Sequence, residues 1–225
     1  VLFPMFVRRC RRHPQPLLNL KVFTLPSVAV ANVANFLLNF AGLATWLVWP
    51  LFFSRVWGYD KLHTGLSLLP GPIISGVVTS LGGRLNARFG HERLVGYGAA
   101  IATVAVVWPL VFLAEEPRYV LVAPALGLFG MGWSLTHPPL NSGVVSRVGP
   151  DLYGEVNAAF NTVRNIAGAL GIAVAVTIVG SADRPDPLDA YRRVFAVFAV
   201  GVALCFLVLR FVYRRVGAIG RPDAV

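Results

Sequence analysis

Residues that carry catalytic chemistry are scarce in this sequence. Of its 225 residues, ten are acidic, four are histidine and two are cysteine. No long apolar run holds paired carboxylates, a histidine cluster or a nucleophile with an adjacent base, which disfavours a membrane-embedded enzyme. Cys10 lies in a basic segment and Cys205 deep in the last apolar run, so no disulfide framework is implied. We expect no catalytic residue, no metal and no cofactor.

Charged residues are also few, and the composition is that of a membrane protein. Hydrophobic residues make up 56% and charged residues 13% of the chain, and the mean hydropathy is +0.67. A spanning helix needs about 20 mostly apolar residues, because it must satisfy its own backbone hydrogen bonds in hydrocarbon. Six runs meet this requirement: Ser27–Phe53, His63–Gly83, Leu94–Ala114, Tyr119–Ser146, Val156–Gly180 and Val194–Tyr213. They are too long and alternate too little for barrel strands, so the predicted fold class is all-α, a polytopic membrane protein built as a six-helix bundle.

The first residues do not read as a signal peptide. The apolar "VLFPMFV" comes before the basic "RRCRRH", whereas a secretory signal has its basic residues first. We interpret residues 1–26 as the end of a preceding helix plus a cytoplasmic linker, 27–214 as the bundle and 215–225 as a cytoplasmic tail. On this interpretation, the chain resembles the C-terminal part of a longer protein.

The basic residues are distributed as in a membrane protein with both ends in the cytoplasm. Thirteen cations then lie inside: Arg8, Arg9, Arg11, Arg12, Lys21, Arg84, Arg88, Arg93, Arg147, Arg210, Arg214, Arg215 and Arg221. Six lie outside: Arg55, Lys61, Arg118, Arg184, Arg192 and Arg193. This bias follows the positive-inside rule. Because the basic residues sit in short loops and not on one water-facing surface, we expect no nucleic-acid partner.

Proline pairs interrupt two of the predicted spans. Pro70 and Pro72 lie in "LLPGPIISG", and Pro138 and Pro139 lie in "THPPLNSG" near the inner end of the fourth span. Proline removes a backbone donor, so we expect a kink or a break at each pair. Broken membrane helices can line a transport cavity, but they are also ordinary packing features.

Two of the predicted spans carry rows of polar residues. Asn157, Asn161, Arg164 and Asn165 fall on one face of the fifth span, and Asn32, Asn35 and Asn39 recur at helical spacing in the first. Arg164 lies roughly 13 Å along the helix from Glu155. An arginine at such depth costs about 2.5 to 3.5 kcal/mol unless it meets water, a carboxylate or carbonyl groups. This row must therefore face the protein interior or a wet cavity.

Two explanations of the polar rows stay open. Asparagines can hold helices together through interhelical hydrogen bonds, or the rows can line a pathway for substrate or water. Arg164 favours the pathway, because intramembrane ions usually serve function. Trp133 lies away from both predicted membrane surfaces and is a further candidate for a pocket wall. No Asp or Glu lies at mid-membrane, so this chain does not supply the buried carboxylate that a proton-coupled carrier needs.

Four segments resemble a known family. "WGYDKLHTGLSLLPG", "GGRLNARFGHERL", "THPPLNSG" and "NAAFNTVRNIAGALG" together look like the C-terminal half of the major facilitator superfamily, in its fourteen-span drug:proton antiporter branch. The resemblance covers nearly the whole chain. The six spans would be helices nine to fourteen of such a protein, and Asn161 and Arg164 match the branch's Asn-x-x-Arg pattern.

The loop after the second span resembles the family's Gly-x-Leu-x-Asp-Arg-x-Gly-Arg-Arg signature. Gly83, Leu85, Arg88 and Gly90 match it. Ala87 stands at the Asp position, and His91 and Glu92 replace basic residues. The loop therefore lacks the carboxylate of the charge clamp that helps such carriers hold one conformation.

The resemblance implies alternating access, in which two six-helix halves rock about a central site and export a lipophilic compound in exchange for protons. It implies a plasma-membrane protein whose partners are the lipid bilayer, a small lipophilic substrate and the missing N-terminal half. The residues expected to line the cavity are Asn35, Asn39, Trp133, Asn161 and Arg164. The alternative is a truncated, transport-inactive membrane fragment or a structural subunit.

Overall fold

The computed structural model describes residues 25–146, 148–180 and 187–213. The helices are α1 Pro26–Arg55, α2 Lys61–Ser67, α3 Pro70–Phe89, α4 His91–Phe112, α5 Tyr119–Val145, α6 Tyr153–Gly180 and α7 Pro187–Leu207. A 3-10 turn at Pro150–Leu152 precedes α6, and a π-helical segment at Val208–Tyr213 continues α7. The described part contains no strand and six helical stretches long and apolar enough to cross a membrane, with α2 and α3 forming one of them. The predicted all-α, six-span fold is confirmed. The predicted preceding helix and the predicted tail lie outside the described residues.

The two proline pairs have different effects on their helices. At the first pair, α2 ends at Ser67 and α3 begins at Pro70, with turn residues between them. Proline is tolerated at the start of a helix because the first N–H groups have no intrahelical acceptor there. The predicted break in the second span is therefore confirmed.

At the second pair, α5 runs uninterrupted through Pro138 and Pro139 to Val145, so the helix does not break there. Close packing against α4 holds this stretch in place. A Cβ on Gly98 of α4 would collide with Thr136, and one on Gly132 of α5 would collide with the backbone of Ala102. Pro138 and Pro139 each lack a backbone N–H, but the loss of these two hydrogen bonds does not end a helix that is packed this closely against its neighbour.

Helix α1 is the centre of the bundle and packs against α5, α6 and α7. Its approach to α6 is close because Gly171 has no side chain: a Cβ there would overlap the carbonyl oxygen of Phe40. Helix α5 approaches α3 in the same way, with Gly130 against the carbonyl oxygen of Gly71. Small residues at helix crossings permit such distances and increase dispersion contacts between the helices.

Burial is uneven among the spans. Helix α1 buries more than half of its most apolar window, whereas the α2–α3 span buries 11% and α6 buries 22%. Large apolar side chains such as Ile73 and Val77 on α3, and Ile166 and Leu170 on α6, are exposed. These two spans therefore present most of their surface to whatever surrounds the chain.

Candidate polar site between three helices

The asparagine row of α1 lies inside the bundle. Asn35 and Asn39 are 0% exposed and Asn32 is 4% exposed. The amide of Asn35 donates to the carbonyl oxygen of Phe160 on α6 at 2.8 Å. Asn39 donates to the side-chain oxygen of Asn35 at 2.7 Å. With no exposed surface, Asn35 and Asn39 do not reach a cavity in this conformation. The bond of Asn35 matches the alternative of interhelical attachment, whereas the bonds of Asn39 stay within α1.

The polar row of α6 has a different environment. Asn161 and Asn165 are exposed, and Arg164 is partly buried. The amide of Asn161 donates to the carbonyl oxygen of Asn157 at 3.0 Å, on its own helix. The Nε of Arg164 is buried and has no hydrogen-bond partner among the described residues. Arg164 lies about 16 Å along α6 from Tyr153, near the middle of a helix long and apolar enough to cross a membrane.

Aromatic rings connect this row to the other two helices. Trp133 of α5 stacks on His137 with centroids 5.3 Å apart and planes 4° apart. His137 in turn lies 5.5 Å from the ring of Phe160. Trp133 fits against α1 at Gly42, where a Cβ would overlap its ring. Trp133 and His137 thus join α1, α5 and α6 at one level.

Helices α5 and α6 carry several buried polar atoms without partners among the described residues. His137 Nε2, Asn141 Oδ1 and Arg164 Nε are buried without a hydrogen-bond partner in the part of the chain that the structure describes. Arg164 is close enough to His137 for an electrostatic interaction. A buried polar group without a partner costs about 1–3 kcal/mol. These atoms can hydrogen-bond a ligand or water that enters between the helices.

No described carboxylate neutralises Arg164. The ion pairs within the described ranges join His63 to Asp60, Arg118 to Glu116 and Arg193 to Asp189, and all of them lie at helix ends or in loops. Within the described residues the site is therefore positively charged.

His137 and Asn141 were not among the residues predicted to line the site. The sequence does contain a signal for them, because Trp133, His137 and Asn141 recur every four residues and so share one helix face. On this face Trp133 contacts α1 at Gly42 and His137 contacts Phe160 of α6, which the sequence alone does not show.

The inner-loop residues lie at the junction of α3 and α4. Gly90 has φ 74° and ψ 147° and is the only residue between the two helices; a side chain would be strained at this positive φ. Arg88 lies in the last turn of α3 with its guanidinium 5.5 Å from the centroid of Phe89. A cation is favourable there because the helix dipole is negative at its C-terminus. Gly83 has open space where a Cβ would be, so packing within this bundle does not require it.

Comparison with known proteins identifies the family. The family model for the Major Facilitator Superfamily matches residues 7–172. The chain belongs to the Major Facilitator Superfamily. The fold and the charged, membrane-embedded site agree with a family of multi-pass transporters.

Several relatives of this superfamily member are proteins named for resistance or export. It is 28% identical over 181 residues to the lincomycin resistance protein LmrB of Listeria monocytogenes, covering 80% of this chain and 38% of that protein. It is 29% identical over 215 residues to the cephamycin export protein CmcT of Amycolatopsis lactamdurans, covering 92% of this chain and 43% of that protein. A riboflavin transporter, RibZ, of Clostridioides difficile is 22% identical over 173 residues, covering 77% and 38%. The chain thus spans about two fifths of the length of these relatives.

Proposed function

We propose that this chain is the C-terminal half of a proton-coupled multidrug efflux transporter of the fourteen-span branch, working by alternating access. Relatives named for lincomycin resistance and cephamycin export support the class of substrate. The share of those relatives that the chain covers, and the exposed surfaces of α3 and α6, support a partner half. The transporter lies in the plasma membrane, with both ends of this chain in the cytoplasm.

The observation that carries the proposal is Arg164. Its Nε is buried and unpaired at a depth where an arginine facing lipid would be strongly unfavourable. Trp133, Asn161 and Arg164 form the wall of the cavity on this side, and His137 lies behind them. Asn35 bonds α1 to α6, and Asn39 bonds to Asn35, which keeps this wall in position.

The charge of Arg164 sets a constraint on the substrate. A cationic compound is repelled unless a carboxylate of the partner half neutralises the guanidinium, which the proton-binding acid of that half would do. A neutral or anionic compound with hydrogen-bond acceptors is favoured without such help. In the full-length transporter we expect eight further spans ahead of Val1, one of which carries a buried acid.

The test is drug resistance conferred by the full-length transporter. We expect Arg164→Ala to abolish resistance while leaving expression unchanged, and Arg164→Lys to retain part of it because the charge remains. Arg55→Ala, an exposed arginine at the end of α1, is the matched control and should export normally. Normal export by Arg164→Ala would refute the cavity role.

A second measurement separates the half-transporter from the inert fragment. The 225-residue chain alone, reconstituted in vesicles, should export nothing, whereas the full-length protein should export. Transport by the pure chain would overturn the proposal that it is one half. A full-length protein without any export would favour the structural alternative.

A further inference from the structure

A second site, away from the polar wall, lies between the inner ends of α4 and α7. A cavity of about 360 Å³ opens there, and its lining includes Arg93, Gly96, Ala100, Phe206 and Arg210. The adjoining surface is apolar and exposed, with Tyr97 57% exposed and Phe211 54% exposed. In a membrane-spanning bundle such a surface faces lipid.

The lining changes from charged to apolar with depth. Arg93 lies in the first turn of α4, and Arg210 lies in the π-helical segment that ends the last span. Ala100 is about 10 Å deeper along α4 than Arg93, and Gly96 lies between them. The two guanidiniums are therefore at headgroup level, and the floor of the cavity is at the level of the acyl chains.

The two arginines are available for an anion. Within the described residues neither forms an ion pair, and the contact found for Arg210 is with the ring of Phe211 at 5.8 Å. Glu92 also lines the cavity, but it has an interaction of its own. Guanidiniums bind phosphate in a forked geometry, and basic pockets between transmembrane helices favour anionic lipids.

The floor of the cavity is open because of two small residues. Gly96 and Ala100 are four residues apart on one face of α4, and a Cβ on Gly96 would contact nothing within 4 Å. The position of the opposite wall is fixed, because Tyr213 bonds to Nε2 of His91 at 3.1 Å and stacks on its ring. An acyl chain can therefore lie along α4 beside Phe206.

We propose that this cavity binds an anionic phospholipid, with the phosphate between Arg93 and Arg210 and one acyl chain against Gly96 and Ala100. The bound lipid belongs to the membrane leaflet that contains the first turn of α4. The site is independent of the proposed transport function, because neither arginine belongs to the polar wall.

The test is lipid retention by the purified 225-residue chain, measured by native mass spectrometry. The probes are phosphatidylglycerol, phosphatidylethanolamine and phosphatidylcholine of matched acyl chains. We expect phosphatidylglycerol to be retained at least fivefold better than either zwitterionic lipid. Equal retention of all three, or preference for phosphatidylethanolamine, would overturn the proposal.

Variants separate this site from general surface charge. Arg93→Gln with Arg210→Gln should remove the preference, whereas Arg93→Lys with Arg210→Lys should keep part of it. Arg84→Gln with Arg88→Gln, the same loss of charge on exposed residues of α3, should leave the preference unchanged. An equal loss in this control pair would contradict a defined site, as would a full preference in the Arg93 and Arg210 glutamine pair.

Two further arms distinguish a lipid from free phosphate. Gly96→Leu fills the floor while both arginines are kept, and it should weaken phosphatidylglycerol retention several-fold. Inorganic phosphate at millimolar concentration should not displace the lipid. Unchanged retention in Gly96→Leu, or displacement by phosphate, would show that no acyl chain occupies the cavity. The helical circular-dichroism signal and its thermal transition verify that each variant is folded.

Discussion

The asparagine row of α1 and the polar row of α6 both follow the helical repeat, but they have opposite environments. Asn35 and Asn39 are fully buried, and Asn35 donates its hydrogen bond to a carbonyl of the neighbouring helix. Asn161 is exposed and donates to its own helix. The spacing tells which residues share a face, and the neighbouring helix decides what that face does.

Asn35 and Asn161 differ in whether their acceptor lies on another helix. A bond between helices contributes to their association, by about 0.6 kcal/mol on average and up to about 1.7 kcal/mol in membrane proteins. A bond from a side chain to the carbonyl four residues earlier on the same helix joins no second helix. The amide of Asn161 can therefore lose this bond without loosening the contact between helices.

The largest expected effect comes from adding a side chain at Gly171, where α1 and α6 are in close contact. Gly171→Ala should lower the free energy of unfolding by about 1–3 kcal/mol, because the new Cβ overlaps the carbonyl oxygen of Phe40. The control is Gly76→Ala on the exposed surface of α3, where a Cβ contacts nothing within 4 Å. It should raise stability by up to about 1 kcal/mol through helix propensity. Unfolding in mixed micelles measures both, and equal stabilities would refute the close approach.

A smaller change in stability is expected when one asparagine of each row is replaced, and this pair of variants compares the two rows directly. Asn35→Ala should destabilise the bundle by about 1–2 kcal/mol, because it removes the bond to Phe160 and leaves Asn39 without its side-chain acceptor. Asn161→Ala should change stability by less than about 0.5 kcal/mol, as exposed substitutions do. The same unfolding assay applies to both. If Asn161→Ala were the more destabilising of the two, the assignment of the rows would be reversed.

The smallest expected effect comes from titrating Asp60, an exposed residue that caps helix α2. Asp60 caps α2 by accepting the backbone N–H of His63 at 2.7 Å, and this bond holds the pKa of Asp60 below its usual 3.8. The cap is therefore complete above pH 3.8 and is lost as the pH falls through the lowered pKa of the folded protein. Hydrogen-exchange protection of the His63 amide, corrected for the intrinsic rate, should fall in that range. Asp60→Asn caps without titrating and should show no such fall; a matching fall would exclude the carboxylate as the cause.

The helices could be predicted from the sequence, but the inward and outward faces could not. Lipid and protein interior are both apolar, so a membrane helix such as α3 shows no clean division into an apolar and a polar face. The break before Pro70 was predictable because proline starts a helix readily. The continuity of α5 through Pro138 and Pro139 depends on packing against Gly98 of α4, a contact between distant parts of the chain.

The candidate site was predictable only in part, because most of its contacts also depend on how the helices pack. Arg164 is identified by the energetic cost of a charge in hydrocarbon, which requires no knowledge of the neighbours. The burial of Asn35, and the position of His137 between Trp133 and Phe160, depend on how three helices meet.

The most direct test asks whether the polar row of α6 faces water within the full-length transporter. With every native cysteine replaced by alanine, Cys10 and Cys205 among them, single cysteines are introduced as Asn161→Cys and Val200→Cys and reacted with a membrane-impermeant thiol reagent. Val200, 60% exposed on α7, serves as the lipid-facing control. We expect Asn161→Cys to react at least tenfold faster, because the thiolate that reacts forms only in contact with water. Equally slow reaction at the two positions would contradict an aqueous cavity along the α6 row.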